Sequence, residues 1–166
     1  MGDADNQQER LDASGIVGFT DGEGCFHVSI NRISKMSLGW QVLPEFRIVQ
    51  NEKDEFVLFK IKDYFGFGNI RINRIDHHGT RKEFRVRGLE NLNKIIKFFD
   101  ENNLKTSKKK DFEIFSRIIQ FMNNKEHLTK KGLEKIAKLI TVMNRKPKSK
   151  YLESSETIRQ KLSNES

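Results

Sequence analysis

The sequence is poor in the residues that staple or break small proteins. It has one cysteine, Cys25, and two prolines in 166 residues, so neither an internal disulfide nor a cysteine-built zinc site is expected. No apolar run reaches the roughly 20 residues that a bilayer-spanning helix needs. With a mean hydropathy of −0.68, the expectation is a soluble protein with no membrane partner. The opening segment MGDADNQQER is acidic and polar, unlike a signal or transit peptide, and Asn6 stands where a myristoylation motif needs Ser or Thr. Repeats and low-complexity stretches are also missing. What is plentiful is phenylalanine, 13 residues, and charge. That argues for an ordered core rather than a basic disordered tail, in a chain of the size of one domain.

The charge is lopsided. Lys and Arg number 31 against 23 Asp and Glu, a net of +8. The first twelve residues hold Asp3, Asp5, Glu9 and Asp12 against Arg10, so the remainder carries +11. Lysines cluster at Lys105, Lys108, Lys109 and Lys110, and again in the run Arg145, Lys146, Lys148 and Lys150. On charge alone a solvated surface and a polyanion partner both stay open. Position on the elements decides between them.

Residues 12–22 read as a short helix with Asp12 as N-cap and Ile16, Val17 and Phe19 as apolar contacts. Each glycine inside it costs roughly 1 kcal/mol relative to alanine, which close approach of another backbone would offset. Alternation then gives a strand with Phe26, Val28 and Ile30 on one side and Cys25, His27, Ser29 and Asn31 on the other. A second strand over 40–50 sets Trp40, Val42, Phe46 and Ile48 against Gln41, Leu43, Glu45 and Arg47, with Pro44 marking an edge or bulge. Helical spacing over 54–65 points Phe56, Phe59 and Ile61 inward. Two more strands follow. One has Ile70 and Ile72 opposite Asn69, Arg71 and Asn73. The other has Phe84 and Val86 opposite Glu83, Arg85 and Arg87, after a turn at Asp76-His77-His78-Gly79. Three helices come next, near 89–102, 109–123 and 130–144, the last capped by Thr129. A short helix signalled by Ser154 or Ser155 ends the chain. The order α-β-β-α-β-β-α describes an α+β fold, a half-buried antiparallel sheet with helices on one face and a saddle-shaped polar face on the other.

Asp21 and Glu23 sit where the first helix ends. Its dipole disfavours a carboxylate there by roughly 0.3–1 kcal/mol, which suits either an exposed turn or a site for a hard divalent cation. The stretch Ile16-Val17-Gly18-Phe19-Thr20-Asp21-Gly22-Glu23-Gly24 resembles the LAGLIDADG motif of homing endonucleases. The element order that follows is that family's order, and the likeness runs from about Leu11 to Leu162. The tail, Asn144-Arg145-Lys146 through Ser155-Glu156-Thr157-Ile158-Arg159, looks like the ending of homodimeric members. The motif occurs once. The resemblance therefore implies a homodimer packed through its motif helices, where small residues Ser14, Gly15, Gly18 and Gly22 would let two backbones approach.

Residue by residue, the resemblance implies the following. Glu23 is the metal ligand, with the Gly22 carbonyl beside it. Asp21 is structural or capping, with a catalytic part as the alternative. Gln50 positions solvent. Lys108 stabilises charge near the scissile phosphate, with Lys110 left open because three lysines run together. Relatives often carry an arginine four residues after the glutamine; here that position is Asp54, a departure, with Lys53 beside it. The implied cofactor is Mg2+ or Mn2+, with Ca2+ binding but not supporting cleavage. The implied reaction is hydrolysis of one phosphodiester on each strand of a long pseudo-palindromic double-stranded DNA site, across the minor groove, leaving 3′ overhangs.

Reader candidates on the polar face are His27, Ser29, Asn31, Gln41, Glu45, Arg47, Asn69, Arg71, Asn73, Glu83, Arg85 and Arg87, with Lys146, Lys148 and Lys150 meeting phosphates. Residues 1–11 are expected as a flexible acidic N-terminus and 12–144 as one endonuclease domain. Residues 145–166 are expected as a basic linker and helix on DNA. The rival on the same fold is a non-cleaving protein, an intron RNA maturase or regulator. A generic RNA-binding module would need aromatics on the polar face, whereas the phenylalanines fall on the apolar one. The compartment is left open as intracellular, an organelle being expected if the host is an organelle intron.

Overall fold

The computed structural model describes residues 10–143 and Tyr151. Lys146, Lys148, Lys150 and the helix expected near Ser154 lie outside the described residues. Helix α1 (Ala13–Glu23) is started by Asp12, whose side chain accepts from the Gly15 amide at 2.7 Å. Strands β1 (Gly24–Arg32) and β2 (Trp40–Asn51) follow, then a 3-10 turn and α2 (Glu55–Phe65). A hairpin of β3 (Asn69–Asp76) and β4 (Gly79–Val86) leads to α3 (Leu89–Glu101), α4 (Lys108–Asn123) and α5 (Lys130–Val142). Thr129 caps α5 by accepting from the Gly132 amide at 3.0 Å.

All pairings are antiparallel, in the order β1-β2-β4-β3. Pro44 pairs with Val28 of β1, but β4 meets β2 only from Phe46 onward. The proline thus sits where β2 has no neighbour on that side, an edge within an otherwise central strand. The apolar side chains of β1, β2 and β4 alternate into the core as expected, with Phe26, Phe46, Ile48 and Phe84 fully buried beneath the helices. Phe26 is the hub, with ring centroids 5.1–5.6 Å from Phe46, Phe99, Phe112 and Phe115. Burying such a ring contributes roughly 1.5–3 kcal/mol, so this cluster fixes sheet to helices.

Three expectations need correction. On α2 the inward residues are Val57, Leu58 and Ile61, while Phe56 and Phe59 are 56% and 48% exposed. The helix is rotated because the aliphatic frame packs on β2 and β4. Ile72 is half exposed, since β3 is an edge strand whose register shifts between Ile72 and Arg74. Glu45 and Glu83, expected to point outward, are 5% and 3% exposed beneath arginines of the polar face.

Candidate active site and polar sheet face

Helix α1 passes into β1 within one residue. The Gly24 amide donates to the Thr20 carbonyl, and a Cβ on Gly24 would lie 2.6 Å from that oxygen, so only glycine makes this corner. The corner carries Glu23. It is exposed and makes no hydrogen bond or ion pair with any described residue. The last-turn carbonyls beside it, Gly22 included, have no intrahelical donors.

Asp21, two residues earlier and therefore roughly 200° around the helix, behaves in the opposite way. It accepts from the Lys105 amide at 2.9 and 3.1 Å, the Thr106 amide at 3.0 Å and the Thr106 hydroxyl at 2.8 Å. Burial works against its charged form, but these donors outweigh it and hold the carboxyl below its ordinary value. The structural part foreseen for Asp21 is what the geometry displays, a clasp on the α3–α4 loop.

The clasp brings Lys108 in. Its ammonium donates to the Gly24 carbonyl, one residue past Glu23, and its amide donates to the Thr106 hydroxyl at 3.3 Å. Lys109 and Lys110 are exposed. Gln50 lies two residues beyond the Gly24–Ile48 pair that opens β1, at the end of the sheet where α1 hands over to β1. Its cross-strand neighbour is Lys82, which is paired with Glu55 and, at 3.5 Å, Glu52. Lys82 was missed in the sequence. It shares the parity of Phe84 and Val86, and a cation in an apolar register was the available signal.

The small residues of α1 divide. Ser14, Gly18 and Gly22 are exposed, four residues apart, and nothing lies within 4 Å of a Cβ built on Gly18 or Gly22. Gly15 instead presses against Leu11 within the chain, where an added Cβ would meet Leu11 Cδ1 at 2.9 Å.

On the polar face the sequence-predicted side chains do gather. His27 pairs with Glu45, Asn31 with Gln41, Arg47 with Arg85, Arg71 with Glu83, and Asn69 with Arg85. Asn31 donates to the Ser29 hydroxyl at 3.2 Å. Asn73, in the bulge of β3, donates to Glu83 at 2.7 Å. Burial acts on Glu45 too, yet the Arg87 hydrogen bond and the Arg47, Arg87 and His27 charges lower its pKa. Among the described residues no three His, Cys, Asp or Glu side chains form a metal cluster. One chain thus offers an acid, a lysine and a basic face, without a closed metal cage.

This combination of fold and corner is that of a known nuclease class. The family model described as LAGLIDADG endonuclease matches residues 16–119, and the chain belongs to that family. Among curated relatives, probable intron-encoded endonuclease 2 of Neurospora crassa is 40% identical over 128 residues, 76% of this chain and 28% of that protein. An uncharacterized 50.9 kDa protein in ND4 intron 1 of Podospora anserina is 38% identical over 122 residues, 72% of this chain and 26% of that protein. The chain spans about a quarter of the length of these relatives. Among solved structures, the homing endonuclease I-TnaI matches with a TM-score of 0.76 at 46% identity, over 81% of this chain and 88% of that one. I-SmaMI bound to uncleaved DNA target in the presence of calcium ions matches with a TM-score of 0.79 at 35% identity, over 87% of this chain and 48% of that one. The α+β homing-endonuclease fold expected from the element order is the observed one.

Proposed function

We propose that this chain is a site-specific double-strand DNA endonuclease acting as a homodimer on a long pseudo-palindromic site and leaving 3′ overhangs. The observation that carries this is Glu23, an exposed carboxylate with no partner among the described residues, at a corner that also receives Lys108. The helix dipole disfavours an acid there by roughly 0.3–1 kcal/mol, which a bound cation would offset. The Glu23 oxygens, with the Gly22 carbonyl, suit a hard cation such as Mg2+ or Mn2+; Ca2+ has the same oxygen preference and is expected to bind without supporting cleavage. When bound, the cation supplies Lewis-acid polarisation of the phosphate and neutralises its charge.

The chain's own residues do the rest. Gln50 orients solvent, and the Lys108 ammonium stabilises charge on the scissile phosphate, with Lys110 as the alternative for that role. The exposed Ser14-Gly18-Gly22 stripe supports pairing of two motif helices, which would bring two Glu23 carboxylates together for two strands. The single motif favours the same reading. Residues 12–144 act as one catalytic domain, and the basic tail 145–166 lies on DNA. The intron-encoded relatives favour an organelle intron, mitochondrial or chloroplast, as the source of the gene.

The test is cleavage of a randomised plasmid library by the full chain with and without Mg2+. Glu23→Gln is expected to abolish cutting while keeping DNA binding. Lys108→Met is expected to slow cutting about 10²-fold, and Lys110→Met far less. Full-rate cutting by the Glu23 variant would refute the assignment, and selective binding without any cutting by wild type would favour the maturase or regulator alternative.

A further inference from the structure

Four arginines and two buried carboxylates meet on the polar face, where β2, β4 and β3 lie side by side. Glu45 accepts a hydrogen bond from Arg87 Nε at 2.7 Å and lies 3.3 Å from Arg47 Nε, an ion pair in which that nitrogen makes no hydrogen bond. Glu83 accepts a hydrogen bond from Asn73 at 2.7 Å and stands at ion-pair distance from Arg71 Nε (3.6 Å), Arg85 Nε (3.9 Å) and Arg47 Nη1 (3.9 Å). The carboxylates are nearly covered, while the side chains of Arg71 and Arg87 are 52% and 43% exposed. The cluster has two more positive than negative charges. Burial, then the charges of Arg87 and Arg71, lower the pKa of Arg85 between them.

The contacts have a consistent sense. Arg71, Arg85 and Arg87 each approach a carboxylate through Nε, the nitrogen nearest the stem, and their terminal Nη atoms donate no hydrogen bond to a described residue. Arg47 differs. It spans both carboxylates, and its Nη2 lies 4.0 Å from Cys25 Sγ. A guanidinium held at Nε, as Arg87 is by its hydrogen bond to Glu45 and Arg71 by its ion pair with Glu83, presents two parallel donors outward, the fork that matches the O6 and N7 acceptors of guanine in the major groove.

We propose that Glu45 and Glu83 are positioning residues rather than base readers, that Arg47 is the strut between them, and that Arg87 and Arg71 are held by them as guanine readers. This rests on the endonuclease reading and deepens it. The carboxylates remove conformational freedom that a long side chain would otherwise lose on binding. Their negative charge is too deeply covered to meet a base, and outward it is masked by the surplus of guanidinium.

The test is binding-site selection from a randomised DNA library with the full chain, scored position by position. Wild type is expected to select guanine at one position per half-site that Arg87→Ala relaxes and at another that Arg71→Ala relaxes. Glu45→Gln should relax the Arg87 position and Glu83→Gln the Arg71 position, each by about tenfold in base discrimination, with an unchanged salt slope because no phosphate contact is lost. Should either Gln variant fail to fold, Glu45→Asp or Glu83→Asp, which keeps the charge but shortens the reach, should relax the same position. A general loss of affinity with guanine preference intact would show a merely structural role and overturn the proposal, leaving the endonuclease reading standing. A wild-type chain that selects no sequence would overturn both.

Discussion

At the scale of single residues, environment separates groups that the sequence presents as equals. Asp21 and Glu23 are two acids of one motif, yet one is clasped and the other bare. The clasp has a pH consequence. The Asp21 carboxyl titrates lower folded than its ordinary 3.8, so its contribution is whole above that value and is lost as pH falls through the folded pKa. His127 acts in a higher window. Burial depresses its pKa below 6.5, so the unfolded chain takes up the proton more readily, and stability falls as pH drops below about 6.5. Thermal melts between pH 8 and 3 should show two successive losses. His127→Gln should flatten the first and Asp21→Asn the second; a wild-type profile flat from pH 7 to 5 would contradict the histidine account.

At the scale of elements, what could be read in advance depended on the period. Strands β1 and β2 were legible because Phe26, Val28 and Ile30, then Val42, Phe46 and Ile48, alternate against polar neighbours, and a period of two permits one solution. Helix α2 was not, because Phe56 and Phe59 form one helical stripe and Val57, Leu58 and Ile61 another, and size alone favours the aromatics. The bulge of β3 carries no sequence signal at all, so the exposure of Ile72 had to be seen. The α2 reading has a direct check. Replacing Phe56 and Phe59 with serine should change unfolding free energy by within about 0.5 kcal/mol each, whereas Leu58→Ala should cost roughly 2–5 kcal/mol. Chemical denaturation distinguishes the two frames.

At the scale of the whole molecule, the candidate site could be placed in advance where one motif carries it and not where the fold assembles it. Glu23 and Gly22 follow from a contiguous run of residues. The resemblance already preferred Lys108 over Lys110, but the contact of its ammonium with the Gly24 carbonyl depends on the loop that Asp21 and Thr106 fix, and Thr106 itself gave no hint. The open stripe on α1 makes a prediction about assembly. Leucine is a better helix former than glycine by about 1 kcal/mol, and Gly18 has free space around it within the chain. Gly18→Leu should keep the circular dichroism spectrum while sedimentation shifts from about twice 19.5 kDa to the monomer, and cleavage disappears with it. A dimeric Gly18→Leu protein would place the contact elsewhere.

The clasp also bears on the order in which the chain is made. Asp21 and the Lys105 amide are 84 residues apart, and Lys108 follows the latter. A ribosome therefore finishes the acid-bearing corner long before the segment that brings it a cation. Until that late segment emerges and docks, the corner that carries Glu23 has neither the Asp21 clasp nor the Lys108 ammonium on its Gly24 carbonyl, so the arrangement proposed for catalysis exists only in the closed fold.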